Sequence, residues 1–107
     1  IMAFDINETV AQMLGAVKTT VKDNWSMVKE TANTFLQTRK DRLELLASLR
    51  LSDEISQKFF LKRVADEKKI LESELHAVAI ITKAVAQKAA NAALDVLSKA
   101  VSKAIPF

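Results

Sequence analysis

His76 is the only histidine of the sequence, and imidazole is a side chain that binds metal ions or transfers protons near neutral pH. Glu72 lies four residues before it, so both side chains would share one face of a helix. Carboxylate-bridged metal bundles use the spacing Glu-x-x-His, however, and the residue three before His76 is Ser73. The sequence therefore predicts no metal site, and a surface histidine paired with Glu72 or Glu74.

Clustered carboxylates suggest acid–base chemistry, and Glu67, Glu72 and Glu74 form such a cluster. A general acid needs a pocket that perturbs its pKa, whereas the neighbouring Lys68 and Lys69 indicate a solvated face. The sequence has no glycine-rich phosphate loop, and no nucleophile stands in a recognisable setting. The absence of cysteine excludes disulfides and thiolate metal ligands. We expect no catalytic residue, no cofactor and no enzymatic activity.

Arg39 and Glu67 each occupy a position where the apolar pattern calls for a hydrophobic residue. If the chain folds back near residue 52, Arg39 lies opposite Val64, one helical turn from Glu67. A partly buried ion pair between them would fix the register of the two helices more than it would add stability. The alternative is that both side chains reach solvent separately from the edge of the seam.

Composition predicts an all-α protein of one domain over residues 1–107. Gly15 and Pro106 are the only glycine and proline, so the chain has little material for turns. Good helix formers dominate, and no apolar residues alternate as they do in strands. We predict two long helices of about 45 to 50 residues each, joined as an antiparallel hairpin.

The first predicted helix covers about residues 5–50. Asp5 is placed as its N-cap, with Glu8 three residues later as the reciprocal partner. Its apolar positions recur at helical spacing, which places them on one face. The packing residues predicted on it are Val10, Leu14, Val17, Val21, Trp25, Val28, Phe35 and Leu46.

The turn is predicted at 51–53, because Ser52 resembles an N-cap and is followed by the acidic Asp53 and Glu54. The second helix would then cover about residues 53–105, ending before Pro106. Its predicted packing residues are Phe60, Leu71, Val78, Ile81, Val85, Ala89 and Val96. Phe59, adjacent to Phe60, cannot share the centre of the seam and is expected to pack against a second hairpin.

A hairpin alone would leave apolar flanks in water, because part of the apolar surface of the second helix falls outside the narrow seam: Ile80, Ile81, Leu94 and Val101. Two hairpins that dimerise into a four-helix bundle would bury these flanks. A chain of four shorter helices is the alternative. It would turn at the polar stretches near Asp23 and Asn24 and near Thr38 to Asp41.

The excess of positive charge lies in the last third of the chain, where four lysines face only Asp95: Lys83, Lys88, Lys99 and Lys103. Cations near a helix C-terminus complement its dipole, and they would also suit contact with an anionic membrane surface. The basic residues of the second helix are interleaved with Asp66 and Glu67, which argues against nucleic-acid binding. No stretch reaches the roughly 18 apolar residues of a membrane span.

The leading functional hypothesis is a non-enzymatic structural or interaction protein, a homodimeric helical bundle that acts as scaffold or adaptor for a protein partner. The alternative is an amphipathic protein that binds a membrane or apolar surface through its Ala- and Lys-rich segment 77–105. A third possibility is an obligate complex with a helical partner. The N-terminal region carries Asp5 and Glu8 and not the basic patch of a signal peptide, so we expect a cytoplasmic location.

Overall fold

The computed structural model describes residues 4–78 and 81–106, and this part of the chain is helical throughout, without a β-strand. Its elements are α1 (Ile6–Val21), a short 3-10 helix (Lys22–Asn24), α2 (Trp25–Leu51), α3 (Gln57–His76) and α4 (Lys83–Ala104). The all-α prediction is confirmed. The prediction of two long helices is wrong, because each predicted helix is divided in two.

The first division lies at the 3-10 helix that separates α1 from α2. Lys22 closes α1 with φ 52° and ψ −115°, a conformation that turns the chain away from the helix axis, while its N–H still bonds to the Lys18 carbonyl. The short polar side chains of Asp23 and Asn24 follow, and such side chains compete with helical hydrogen bonding. Of the two polar stretches considered for a turn, this one interrupts the helix. Residues 38–41 instead lie within the continuous α2.

The turn between α2 and α3 is longer than the predicted 51–53 and occupies residues 52–56. Ser52 ends α2 and does not begin α3, since its N–H bonds to the Ser48 carbonyl. Asp53 adopts a left-handed conformation with φ 62°, which a helix start would not allow. The N-cap of α3 is Ser56, whose hydroxyl oxygen accepts the Phe59 N–H at 3.1 Å.

A buried arginine holds this turn together. The Arg50 guanidinium donates to the Gln57 side-chain oxygen at 2.9 Å, to the Asp53 carboxylate at 3.0 Å and to the Ile55 carbonyl at 3.1 Å. The helix on each side of the turn and the loop between them are therefore joined by one side chain. This network makes Arg50 a structural residue.

The second division separates α3 from α4, within the predicted helix 53–105. Thr82 begins α4, because its hydroxyl oxygen accepts the Val85 N–H at 3.2 Å. This N-cap is visible in the sequence, but the apolar spacing through Val78, Ile81 and Val85 continues across it and suggests one helix. Residues 79 and 80 lie outside the described residues, so the structure does not show whether Ile80 needs a second hairpin to cover it.

The four helices pack in a ring, each against the next along the chain, and α1 closes the ring against α4. Arg39 on α2 meets Glu67 on α3, and Lys68 on α3 meets Asp95 on α4, so both pairs of helices are antiparallel. The α1–α4 contact is the most extensive and the α2–α3 contact is the least extensive of the four neighbouring pairs. A single chain therefore supplies all four helices.

The core lies inside this ring. Nine of the predicted packing residues are buried: Val10, Val17, Val21, Val28, Phe35, Phe60, Leu71, Ile81 and Ala89. Six more are partly buried against them: Leu14, Trp25, Leu46, Val78, Val85 and Val96. Leu94 and Val101, which were expected to face a second hairpin, are fully buried within the one chain. The described apolar residues that motivated the dimer are thus covered without it, and the homodimer stays a prediction.

Lys22 offers a test of the first division. Glycine adopts positive φ without the steric penalty of a side chain, so Lys22→Gly should raise the free energy of unfolding by about 1 kcal/mol in urea denaturation. Lys18→Gly is the matched control. Lys18 is exposed inside α1, where the same change should lower stability by about 1 kcal/mol. Equal losses at both positions would mean that the helix continues through residue 22.

Candidate functional site

The structure keeps the predicted titratable cluster apart. His76 is exposed at the end of α3, and it forms no ion pair with Glu72 or Glu74, so its predicted pairing does not occur. Over residues 4–78 and 81–106, no group of three or more His, Asp or Glu side chains is placed to hold a metal ion. Glu67, the third carboxylate of the cluster, is bound to Arg39.

Arg39 and Glu67 form a bidentate ion pair across the α2–α3 interface. Arg39 Nε donates to Glu67 Oε1 at 2.9 Å and Nη2 donates to Oε2 at 2.9 Å. The Glu67 side chain is 6% exposed and that of Arg39 is 23% exposed. The hydrogen bond from Arg39 to Glu67 raises the pKa of Arg39 above its ordinary value, against a smaller opposite effect of burial. The Glu67 carboxylate is thus nearly buried and hydrogen-bonded through both of its oxygens to Arg39.

Phe35 completes the surroundings of this pair. The Arg39 guanidinium lies 5.4 Å from the centre of the Phe35 ring, within the range of a cation–π contact. Of the two arrangements considered from the sequence, the side chains therefore form the direct contact. We propose that the pair fixes the register of α2 against α3.

The described surface carries four exposed large hydrophobic side chains, and two of them face one groove. Leu45 on α2 is 60% exposed and Phe59 on α3 is 46% exposed, and both line the groove between these helices. Met27 and Leu61, which are similarly exposed, lie outside it. The groove has a volume of about 550 Å³. Its lining residues are Arg42, Leu45, Leu46, Leu49, Phe59, Arg63, Asp66, Glu67 and Ile70.

Helical spacing explains why these residues meet. Those of α2 recur at steps of one, three or four from residue 42 to 49, and those of α3 do so from residue 59 to 70, so each set forms one side of its helix. Phe60 and Val64, one position further around α3, point into the core. The apolar arcs of both helices are thus wider than the core requires, and the excess lines the groove.

Sequence reasoning located only part of this site. It separated Phe59 from the seam, and the structure places Phe59 in the groove. It did not single out Leu45, Leu49 and Ile70, although Leu45 and Leu49 are four residues apart, a spacing that places them on the same side of the helix. The available signal was a second, narrower apolar stripe beside the first.

The charged residues at the rim of the groove differ in whether they have an ion-pair partner. Glu67 is neutralised by Arg39, and Asp66 lies 3.8 Å from Arg63. The Arg63 guanidinium also lies 5.9 Å from the centre of the Phe59 ring. Arg42 is exposed and forms no ion pair with any described residue. The rim therefore presents one cation that the fold does not neutralise.

The four lysines proposed for a membrane contact are all exposed on α4. Lys99 and Lys103 share a shallow groove with Asp5 and Glu8 of α1, so the surface there carries both signs of charge. Lys83 and Lys88 lie in the first two turns of α4, away from these carboxylates. The four lysines thus do not form one uninterrupted basic face.

Across the described residues, the structure contains no helix that is long and apolar enough to cross a membrane.

A double-mutant cycle tests whether Arg39 and Glu67 act as a pair. Arg39→Ala leaves a buried carboxylate without its cation and should lower the free energy of unfolding by about 3 kcal/mol. The loss in the double variant Arg39→Ala/Glu67→Ala should fall short of the sum of the single losses by at least about 1 kcal/mol. Chemical denaturation measures all three variants. Additive losses would show that the two side chains act independently.

Comparison with known proteins leaves the site to be interpreted from its own geometry. No protein-family model matches the chain, and neither the curated proteins nor the solved structures contain a significant match to it. The groove between α2 and α3 combines an apolar lining with Arg42, which forms no ion pair with any described residue.

Proposed function

We propose that this chain is a non-enzymatic interaction protein that binds a protein partner in the groove between α2 and α3. The observation that carries the proposal is the joint exposure of Leu45 and Phe59, which face one groove from neighbouring helices. Contiguous exposed apolar surface on a small domain is typical of an interaction site. The remaining large apolar side chains of α2 and α3 are buried or partly buried, apart from the isolated Met27 and Leu61.

The groove has the composition of a binding site with a central anchor. Full burial of a phenylalanine or a leucine contributes about 1.5 to 3 kcal/mol, and because Phe59 and Leu45 are already partly covered, a partner would gain roughly half of that from each. Leu46 and Ile70, which also line the groove, are partly buried against the core. Arg42, Arg63 and Asp66 supply the polar rim that gives an interface its orientation.

The geometry supports binding over catalysis. A catalytic carboxylate needs access to a substrate, whereas the Glu67 side chain is 6% exposed and hydrogen-bonded to Arg39. His76 is exposed at the far end of α3 and is not among the residues that line the groove. The groove thus offers shape and apolar area but no arrangement of acid, base and nucleophile.

The alternative of a membrane-binding segment 77–105 requires a larger change. The apolar side of α4, including Ala89, Leu94 and Leu97, is fully buried in the bundle. Contact between this side and lipid would need α4 to leave its neighbours and expose the core. The α2–α3 groove is already open, so the docking proposal needs no such rearrangement.

Site-specific photocrosslinking tests the docking proposal. We expect p-benzoylphenylalanine in place of Phe59 to give a discrete adduct with another protein in the native cells, detected as a band of higher mass. The same group in place of Leu61 is the matched control, because both side chains are on α3 and both are 46% exposed, but only Phe59 lines the groove. Adducts of equal yield from both positions, or none from either, would contradict the proposal.

A further inference from the structure

We propose that the occupant of the α2–α3 groove is an amphipathic helix of another protein that presents a carboxylate to Arg42 beside its apolar stripe. This inference rests on the proposed function, since it names the chemistry of the partner that the groove would bind. Three features of the groove carry it: its length, the kind of backbone that it can receive, and the charge that the fold leaves unneutralised.

The length of the groove matches a short helix. From Phe59 to Ile70 the lining advances eleven residues along α3, which is roughly 16 Å, or about three helical turns. A helix that lies between two others presents apolar residues at positions i, i+3 or i+4, and i+7. Leu49 and Phe59 lie toward the turn end of the groove and Ile70 toward the other, so successive apolar positions of a partner would meet successive apolar residues.

The fold also limits the backbone of the partner. An extended peptide usually binds by adding a strand to the edge of a sheet, and the described part of the chain contains no strand. A helix satisfies its own backbone hydrogen bonds, so it suits a groove that is lined by side chains and offers no strand edge. The lining consists of side chains from two neighbouring helices, and a third helix can lie between these two rows of side chains.

Arg42 determines the charge of the partner. Four charged residues line the groove, and two of them, Arg63 and Asp66, lie within 4.0 Å of each other, while Glu67 is bound to Arg39 outside the lining. Arg42 alone has no carboxylate partner among the described residues. A docked helix would displace water from Arg42, and an arginine removed from water requires a new acceptor. A carboxylate fits, because guanidinium and carboxylate pair through two parallel hydrogen bonds.

A second copy of this chain is a poorer occupant. A two-fold arrangement through the groove would bring the same surface of both copies together. Both arginines of the lining, Arg42 and Arg63, would then lie at the interface in each copy. The carboxylates at hand are already engaged, Asp66 with Arg63 and Glu67 with Arg39. A second copy therefore offers Arg42 no carboxylate of the groove lining that lacks an ion pair of its own.

The test uses the full chain and two fluorescein-labelled 18-residue peptides. One carries leucines at i, i+4, i+7 and i+11 on an alanine background, with glutamates beside the leucine stripe. The second is identical except for lysines at the glutamate positions. Fluorescence anisotropy should show the acidic peptide binding about tenfold more tightly than the basic peptide at low salt.

Charge variants assign this preference to Arg42. Arg42→Glu should reverse it, and Arg42→Gln should abolish it without reversal. The matched control is Lys62→Glu, the same change of charge at an exposed position of α3 that does not line the groove, and it should leave the preference in place. Leu45→Ser should weaken the binding of both peptides by about tenfold or more. Circular dichroism melts of each variant verify that the fold is kept.

Two results would overturn the inference. Equal binding of both peptides, with no response to Arg42→Glu, would show that the groove does not select a carboxylate; an adduct at Phe59 alone would then still support the docking surface. Self-association that Leu45→Ser abolishes would show that a second copy occupies the groove. The crosslinking experiment thus fails or succeeds independently of the charge preference.

Discussion

The apolar face of α4 is too wide for a single neighbour, and the fold depends on covering it. Ala86, Ala89, Ala93, Leu94 and Val101 span an arc of about 140° around the helix, and all are fully buried. The reversal at Lys22 brings α1 alongside α4, which gives α4 a second extensive neighbour besides α3. The contact between α1 and α4 is the most extensive of the ring. The α2–α3 pair, at the other side, is left with the least contact and an open groove.

Much of the helical content followed from the sequence, since helix propensity and apolar spacing are local properties. The N-cap of α1 is an example: Asp5 accepts the Asn7 and Glu8 N–H groups at 2.9 and 3.2 Å. The contact between Arg39 and Glu67 could also be predicted, because two charged residues at apolar positions of an antiparallel helix pair lie within one turn of each other. Such features depend on a few residues at known spacing.

The breaks between α1 and α2 and between α3 and α4 could not be predicted in the same way, and their geometry explains why. Val21, Trp25 and Val28 keep steps of four and three across the 3-10 helix, so the apolar stripe continues in phase while the chain changes direction. The same holds from Leu75 through Val78 and Ile81 to Val85, across the end of α3 and the start of α4. Periodicity reports the side of a helix that is apolar, but it does not report whether the axis continues. The caps at Ser56 and Thr82 carry that information, through single hydroxyl groups.

The candidate site follows from the same construction. Each helix of the ring needs an apolar arc for the core, and the apolar arcs of α2 and α3 are wider than the core requires. Of two adjacent phenylalanines, Phe60 is therefore buried in the core and Phe59 lines the groove.

Solution mass measured by light scattering over a dilution series, together with helicity, tests the central claim that one chain closes its own core. At the lowest concentrations we predict the monomer mass of 11.8 kDa with undiminished helicity and an unchanged melting temperature. Helicity that disappears as a dimer dissociates would show instead that a second chain completes the core.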